Sequence, residues 1–202
     1  MGPAGDQIQK RTLAAAAEGD PDAWRTLVGD FTPRVFALLV RQCGDRDLAE
    51  EIVQDTFVKV ATRIGRDGQY REQGRFEAWL FRIAMNRLRD EMRRRRRQAI
   101  PVDFGPGSIA AETSSGPDGA ALVDRSGPDP LESASRSEMI ERLGAAMEQL
   151  GDADREILHL RHTAGLSFPQ IAETLDQPLG TVLARGHRAL KKLRKIMEEQ
   201  EL

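Results

Sequence analysis

The sequence predicts an all-α protein of two small helical domains, joined by a flexible acidic linker, with a helix-turn-helix in the second domain. Apolar residues recur with helical spacing on both sides of residues 98–136, a stretch with no sustained period. That stretch holds five Gly, five Pro and six Ser, and its six acidic residues against two arginines give a charge of -4. Because this composition buries too little surface to offset its ordering entropy, we predict domains at residues 1–97 and 137–202. A long surface loop of one domain is the alternative, although such loops are rare in compact domains.

Charge, cysteine content and hydropathy narrow the class of protein. The chain has 202 residues and a formal net charge of -2, so no overall field attracts it to polyanions. A nucleic-acid surface must therefore come from local separation of charge. Cys43 is the only cysteine, which excludes an intramolecular disulfide. The start lacks the apolar core of a signal peptide, and no apolar run is long enough for a membrane span, so we expect a cytoplasmic protein without membrane insertion.

Two amphipathic helices open the first domain. Asp20 is the expected N-cap of the earlier helix, Pro21 its first residue and Gly44 its stop, while Pro33 predicts a kink or break within it. The later helix has an apolar stripe at helical spacing, made of Ala49, Ile52, Val53, Thr56, Phe57, Val60, Ala61 and Ile64.

An arginine-rich helix closes the first domain. Residues 75–97 contain nine arginines against three acidic residues, a net charge of +6. The helix macrodipole accounts for two or three arginines at a C-terminus, but five in a row repel one another and need anions nearby. The run therefore favours a phosphate-contacting helix in which Asn86 suits a base edge, with an acidic protein or membrane as alternatives. The apolar side, which we expect to lie in the core, is Phe76, Trp79, Leu80, Ile83, Ala84 and Leu88.

The second domain has the order of a helix-turn-helix. Asp152 is the expected cap of its first helix, and Gly165 the expected end. Ser167 and Gln170 predict a capping box for a short helix that runs from Phe168 to about Leu175. After a tight turn, Pro178 opens a third helix whose cationic face is typical of DNA binding. A three-helix bundle with a solvated cationic face is the alternative.

The third helix separates an apolar face from a cationic one. Gly186 lies within the apolar face, where we expect a neighbouring helix to come close. The apolar face consists of Leu179, Val182, Leu183, Gly186, Leu190, Leu193 and Met197, and the other of Thr181, Arg185, Arg188, Lys192 and Lys195.

Three blocks in this order resemble the extracytoplasmic-function (ECF) sigma factors, the specificity subunits of bacterial RNA polymerase. The blocks read "DRDLAEEIVQDTFVKV", "FEAWLFRIAMNRLRDEMRRRRR" and "LGDADREILHLRHTAGLSFPQIAETLDQPLGTVLARGHRALKKLRK". The resemblance covers about residues 20–97 and 138–196. It implies a protein without catalysis, cofactor or metal, whose partners are core RNA polymerase, promoter DNA and an anti-sigma factor.

The resemblance also implies a set of site residues in each domain. In the first domain, the residues at the minus-ten element are Tyr70, Arg75, Arg82, Asn86, Arg89, Asp90 and Arg93, with Tyr70 in the loop that holds an extruded base. The implied polymerase-docking residues are Asp47, Glu50, Glu51, Gln54, Asp55 and Val58. In the second domain, the residues at the minus-thirty-five element are Ser167, Gln170, Thr181, Arg185, His187, Arg188, Lys191, Lys192 and Lys195. The chain departs from the family at Leu183 and Ala184, where a Lys-Ser pair is usual, so a borrowed rule for the bases read there is unsafe.

Two other functions fit parts of the sequence. A stand-alone helix-turn-helix regulator that binds a palindrome as a dimer would leave the arginine run unexplained. A zinc enzyme would use Glu156, His159 and His162, which share a helical face, but the sequence has no H-E-x-x-H motif.

Overall fold

The structure is a computed structural model that describes residues 3–65, 75–98 and 130–200. The regular elements in these ranges are all α-helices, and the chain divides into two compact units, Met1–Gly119 and Ala120–Leu202. The predicted all-α class is confirmed. Most of the predicted linker, residues 99–129, lies outside the described residues, so its flexibility stays a prediction.

Four helices lie in the described residues of the first unit. Their bounds are α1 Pro3–Ala17, α2 Pro21–Cys43, α3 Arg46–Gly65 and α4 Phe76–Gln98. The core lies between α2, α3 and α4, where Leu38, Ile52 and Phe81 are fully buried. The ring of Phe31 meets the ring of Phe76 edge-on, with 5.3 Å between the centroids. α1 closes one side of this core with Leu13 and Ala16, a helix that the sequence patterns did not predict.

Helix α2 has the predicted ends, but Pro33 does not interrupt it. Asp20 accepts hydrogen bonds from the backbone of the first turn, and Gly44 ends the helix at a φ of 69°, which favours glycine. The helix runs unbroken through Pro33, so of the predicted kink or break the break is wrong and the kink stays a prediction. Phe31 and Val35 are buried on either side of the proline, and their packing offsets the hydrogen bond that it removes.

The predicted stripes of α3 and α4 face the core with a few exceptions. Ala61 of α3 is exposed and Phe57 half-buried, because the stripe broadens beyond the width that α2 and α4 cover. On α4, Trp79 and Ile83 are half-buried, and Trp79 packs against Phe76 with 6.0 Å between ring centroids. Trp79 therefore packs at the edge of the core.

The part of the second unit that the structure describes, residues 130–200, contains four helices. Their bounds are α5 Pro130–Glu148, α6 Asp152–His162, α7 Phe168–Leu175 and α8 Leu179–Glu199. Helix α5 begins inside the range that the sequence predicted as linker, so residues 130–136 are helical instead. Its buried Ala146 joins Leu158 of α6 with Ala189 and Ile196 of α8 in one apolar cluster.

The helix-turn-helix consists of α7, a turn and α8. Both halves of the predicted capping box are present: Gln170 N donates to Ser167 Oγ, and Ser167 N donates to Gln170 Oε1 at 2.8 Å. Asp176 ends α7 in the left-handed conformation. Pro178 is the N-cap of α8 and not its first residue.

The boundaries predicted for α6 need correction. Gly151 is its N-cap, and Asp152 is the first helical residue, where it pairs with Arg155 at 2.7 Å. The helix ends at His162, with Thr163 as its C-cap, so Gly165 lies beyond its end.

The buried face of α8 differs from the predicted apolar stripe. Val182 and Gly186 are buried as expected, together with Ala189 and Ile196, which the stripe omitted. The larger apolar residues Leu179, Leu183 and Leu190 are exposed. Helices approach most closely at small residues, so α8 packs against the rest of the unit through Gly186 and Ala189. The three leucines therefore remain exposed to solvent.

Candidate nucleic-acid interface

The outer face of α4 carries the polar residues that the sequence singled out. Arg82, Asn86, Asp90 and Arg93 are exposed, and Arg89 is half-buried beside them. Arg89 Nη1 donates to Asn86 Oδ1 at 3.0 Å, which orients the Asn86 amide on this face. Arg93 lies 4.0 Å from Asp90. The face thus offers an oriented amide among cations, the chemistry that recognises a base next to phosphates.

The inner side of the arginine run is bound to a buried carboxylate. Glu91 is 3% exposed, and Arg94 donates to both of its oxygens, at 2.8 and 2.9 Å. Arg95 Nε lies 3.4 Å and Arg87 Nη1 3.7 Å from the same carboxylate. The hydrogen bonds from Arg94 lower the pKa of Glu91 below its ordinary value. These arginines therefore have a structural partner within their own helix.

Two of these arginines also reach other parts of the unit. Arg87 Nε donates to Asp55 Oδ2 of α3 at 2.8 Å, and Arg87 Nη2 lies 3.5 Å from Glu51. Arg95 Nη1 donates to Asp45 Oδ2, just before α3, at 2.8 Å. The pKa of Asp45 is lowered by the Leu48 backbone N–H and by Arg95. Sequence reasoning missed all of these ion pairs. The pairs of Glu91 with Arg94 and Arg95 could have been predicted, because these arginines follow Glu91 by three and four positions in one helix.

The acidic face of α3 forms a second surface on the same unit. Asp47, Glu50, Glu51 and Gln54 are exposed along one side of the helix. Val58 continues this side and is 65% exposed. Asp55 is partly covered, because Arg87 binds it. The predicted docking residues thus share one face, and a protein partner would meet an apolar group beside carboxylates.

Two of the predicted minus-ten residues precede α4 in the sequence. Arg75 is exposed immediately before α4. Tyr70 lies outside the described residues, so its role stays a prediction.

Helix α8 presents most of its predicted binding residues to solvent. Arg185 is half-buried, while the exposed members are Thr181, His187, Arg188, Lys191, Lys192 and Lys195. Lys192 Nζ donates to the Gln149 backbone oxygen at 2.8 Å, and Lys195 Nζ lies 3.5 Å from Glu199. Residues 177–197 contain no acidic residue, so the rest of this surface is uniformly positive. Ser167 and Gln170 are half-buried in their capping box, which places them at the start of α7.

The suggested zinc residues differ in their surroundings. His159 is buried, whereas His162, at the end of α6, is exposed. Within residues 3–65, 75–98 and 130–200, no group of three potential ligands could hold a metal ion.

None of the helices in those ranges is long and apolar enough to cross a membrane.

Both units match known protein families. The family model for Sigma-70 region 2 matches residues 27–98, and the model for Sigma-70 region 4 matches residues 146–195. The ECF RNA polymerase sigma factor SigE of Mycolicibacterium smegmatis is 33% identical over 189 residues, which are 91% of this chain and 66% of that relative. The RNA polymerase sigma factor CarQ of Myxococcus xanthus is 32% identical over 185 residues, which are 92% of this chain and 95% of that relative.

The chain belongs to the ECF sigma factors of RNA polymerase. It is therefore a transcription initiation factor whose partners are core RNA polymerase and promoter DNA, and the stand-alone regulator is not favoured. The fold of this sigma factor is similar to that of the sigma factor RpoE from Bartonella quintana, solved with the anti-sigma factor NepR. The TM-score is 0.60 at 21% identity, over 86% of this chain and 96% of that one.

Proposed function

We propose that this sigma factor uses its two units to read the two elements of one promoter while core polymerase holds both units. The observation that carries the proposal is the presence of a separate cationic surface on each unit, next to an acidic surface on the first. The chain performs no catalysis of its own in this proposal. Because its partners are polymerase and chromosomal DNA, we infer that it acts in the cytoplasm.

The first unit reads the minus-ten element through the outer face of α4. Asn86 contacts an exposed base edge, and its orientation by Arg89 supports this role. Arg82 and Arg93 contact the neighbouring phosphates, which position the DNA without reading its sequence. Tyr70 and Arg75 belong to the same surface, with Tyr70 stacking on an extruded base. Asp90 lies at the edge of this face.

The acidic face of α3 docks on core polymerase. Glu50, Gln54 and Val58 are exposed on one side of the helix, and carboxylates repel DNA, so a protein partner suits this surface. Asp47 extends the same face. Glu51 and Asp55 serve two roles, since they also pair with Arg87 and thereby join the docking face to α4.

The second unit reads the minus-thirty-five element through α8. Thr181, Arg185, His187 and Arg188 lie in the first half of the helix and contact base edges or adjacent phosphates. Further along, the lysines contact phosphates. Ser167 and Gln170, at the start of α7, support the helix-turn-helix beside the DNA.

Regulation by an anti-sigma factor is part of the proposal. The sigma factor RpoE, which shares this fold, was crystallised with an anti-sigma factor. We infer that a partner of that class binds this chain and keeps its units from polymerase or promoter.

Transcription in vitro with purified bacterial core polymerase tests the proposed function. The full chain is added to core enzyme with a set of promoter-bearing genomic fragments, and the transcripts are mapped. We expect discrete start sites that appear only when the chain is present. Discrete starts that are the same with and without the chain would overturn the proposal.

A further inference from the structure

Helix α8 has an exposed apolar flank that its packing does not explain. Leu183 and Leu190 are each 44% exposed, and Leu179 is 42% exposed. The three leucines follow one side of the helix, between the buried face and the side that points away from the unit. An apolar flank of this kind on a cationic helix is typical of a contact surface.

Leu183 lies in the second turn of α8, where a recognition helix contacts base edges. Val182 is buried against the rest of the unit, and each residue advances by about 100° around a helix. Leu183 therefore lies at the rim of the exposed surface, and the exposed Ala184 points away from the unit. Neither side chain offers a polar atom to a base.

The charge around Leu183 favours a polyanion over an apolar protein partner. Residues 177–197 contain no acid, and residues 185–195 contain six cations. A protein that covered Leu183 would have to desolvate or neutralise these cations, whereas DNA supplies phosphates on both sides of the groove. The apolar group that base edges present in the major groove is the 5-methyl of thymine.

We propose that Leu183, with Ala184 beside it, contacts the 5-methyl group of a thymine in the minus-thirty-five element and selects that base. This inference rests on the proposed function, because it needs α8 to lie in the major groove of a promoter. Burial of one methyl group is worth about 0.8 kcal/mol, which corresponds to about a fourfold preference for thymine over the same base without its methyl.

Replacement of thymine by deoxyuridine tests the contact directly, since the two bases differ only in that methyl group. The minus-thirty-five sequence is first selected from a randomised promoter library by core polymerase carrying the full wild-type chain. Each thymine of the selected element is then replaced singly by deoxyuridine, and the affinity of the polymerase complex is measured by competition. We expect one position at which deoxyuridine weakens wild-type binding about fourfold, and at which Leu183→Ala shows no penalty.

Leu190→Ala is the matched control, because Leu190 has the same exposed fraction on the same flank but lies about two turns further along α8. This variant should keep the wild-type penalty for deoxyuridine. The proposal is overturned if deoxyuridine has no effect at any position, or if the penalty persists in Leu183→Ala. It is also overturned if both leucine variants weaken transcription equally with unchanged base preference, which would make the flank a protein-binding surface. A library that yields no promoter-specific transcript would instead contradict the proposed function itself.

Discussion

Helices α4 and α8 both carry dense runs of cations, yet different kinds of contact hold them in their units. Helix α4 is tied to its unit by ion pairs as well as by its apolar face: Arg87 binds Asp55, and Arg95 binds Asp45. Helix α8 is held by close apolar packing. A β-carbon added to Gly186 would lie 3.0 Å from the Phe168 ring, so the two helices of the helix-turn-helix are in direct contact there.

The difference shows that the number of cations in a segment does not measure its DNA-binding surface. Arg87, Arg94 and Arg95 are directed at carboxylates of their own unit. On α8, by contrast, Arg188 and Lys191 are exposed, Arg185 is half-buried, and residues 177–197 offer them no acidic partner along the chain. In the proposed function, the arginines of α4 thus divide between the fold and the DNA, whereas most cations of α8 are left to contact DNA.

The largest expected effect comes from the outer face of α4. Asn86→Ala should reduce promoter-specific transcripts to background, because it removes the oriented amide from the surface proposed to contact the minus-ten bases. The variant should still bind core polymerase, since Asn86 is exposed and does not belong to the acidic face of α3. Run-off transcription and co-elution with core enzyme measure the two properties. Loss of core binding would show that Asn86 has a structural role.

The packing of α8 predicts the next largest effect. Gly186→Val should destabilise the second unit by about 2 kcal/mol, because the new side chain would overlap the ring of Phe168 and approach Ile157. Thermal unfolding followed by circular dichroism measures the change. Ala184→Val is the control, because it introduces the same residue, valine, on the exposed side of α8. It should lower the free energy of unfolding by only a few tenths of a kcal/mol. Equal destabilisation by the two variants would contradict the close contact at Gly186.

These two helices also show how much a sequence predicts. The caps of α2 and α7 were predictable because capping involves residues two to four apart, as at Asp20 and in the Ser167–Gln170 box. The pair of Arg95 with Asp45 was not, because its members lie 50 positions apart and meet only after the helices pack. The buried side of α8 was misjudged for a related reason. A periodicity argument gives weight to large apolar residues, whereas the neighbouring helices approach at Gly186 and Ala189.

A smaller effect is expected in the salt dependence of promoter affinity, which distinguishes arginines that contact phosphates from arginines that pair with carboxylates of their own unit. Arg188→Gln should reduce the slope of log affinity against log salt by about 0.9, the value for one lost phosphate contact. Arg87→Gln should leave that slope unchanged, because Arg87 is bound to Asp55 and Glu91. Promoter binding by the polymerase complex is measured over a series of salt concentrations. A reduced slope in Arg87→Gln would mean that Arg87 contacts DNA after all.

The smallest expected effect is on the stability of the folded chain at acidic pH. The pKa values of Glu91 and Asp45 are lowered in the folded state, so the unfolded chain binds more protons at acidic pH. Their contribution to stability is therefore present above their ordinary pKa values and is lost as the pH falls through the lowered ones. Glu91→Gln should flatten this acid-dependent loss, as measured by urea unfolding between neutral and acidic pH. Glu141→Gln, an exposed change in the second unit, should leave it as in the wild type.

The central claim is that the cationic surfaces of the two units bind one promoter together when core polymerase holds both units. The most direct test is to measure promoter affinity with and without core polymerase. When polymerase holds both units, binding of one unit raises the effective concentration of the other at its element. We predict that the complex of the full chain with core enzyme binds its promoter about a hundredfold or more tightly than the free chain does, at the same salt concentration. Tight promoter binding by the free chain, unchanged when core enzyme is added, would contradict the account.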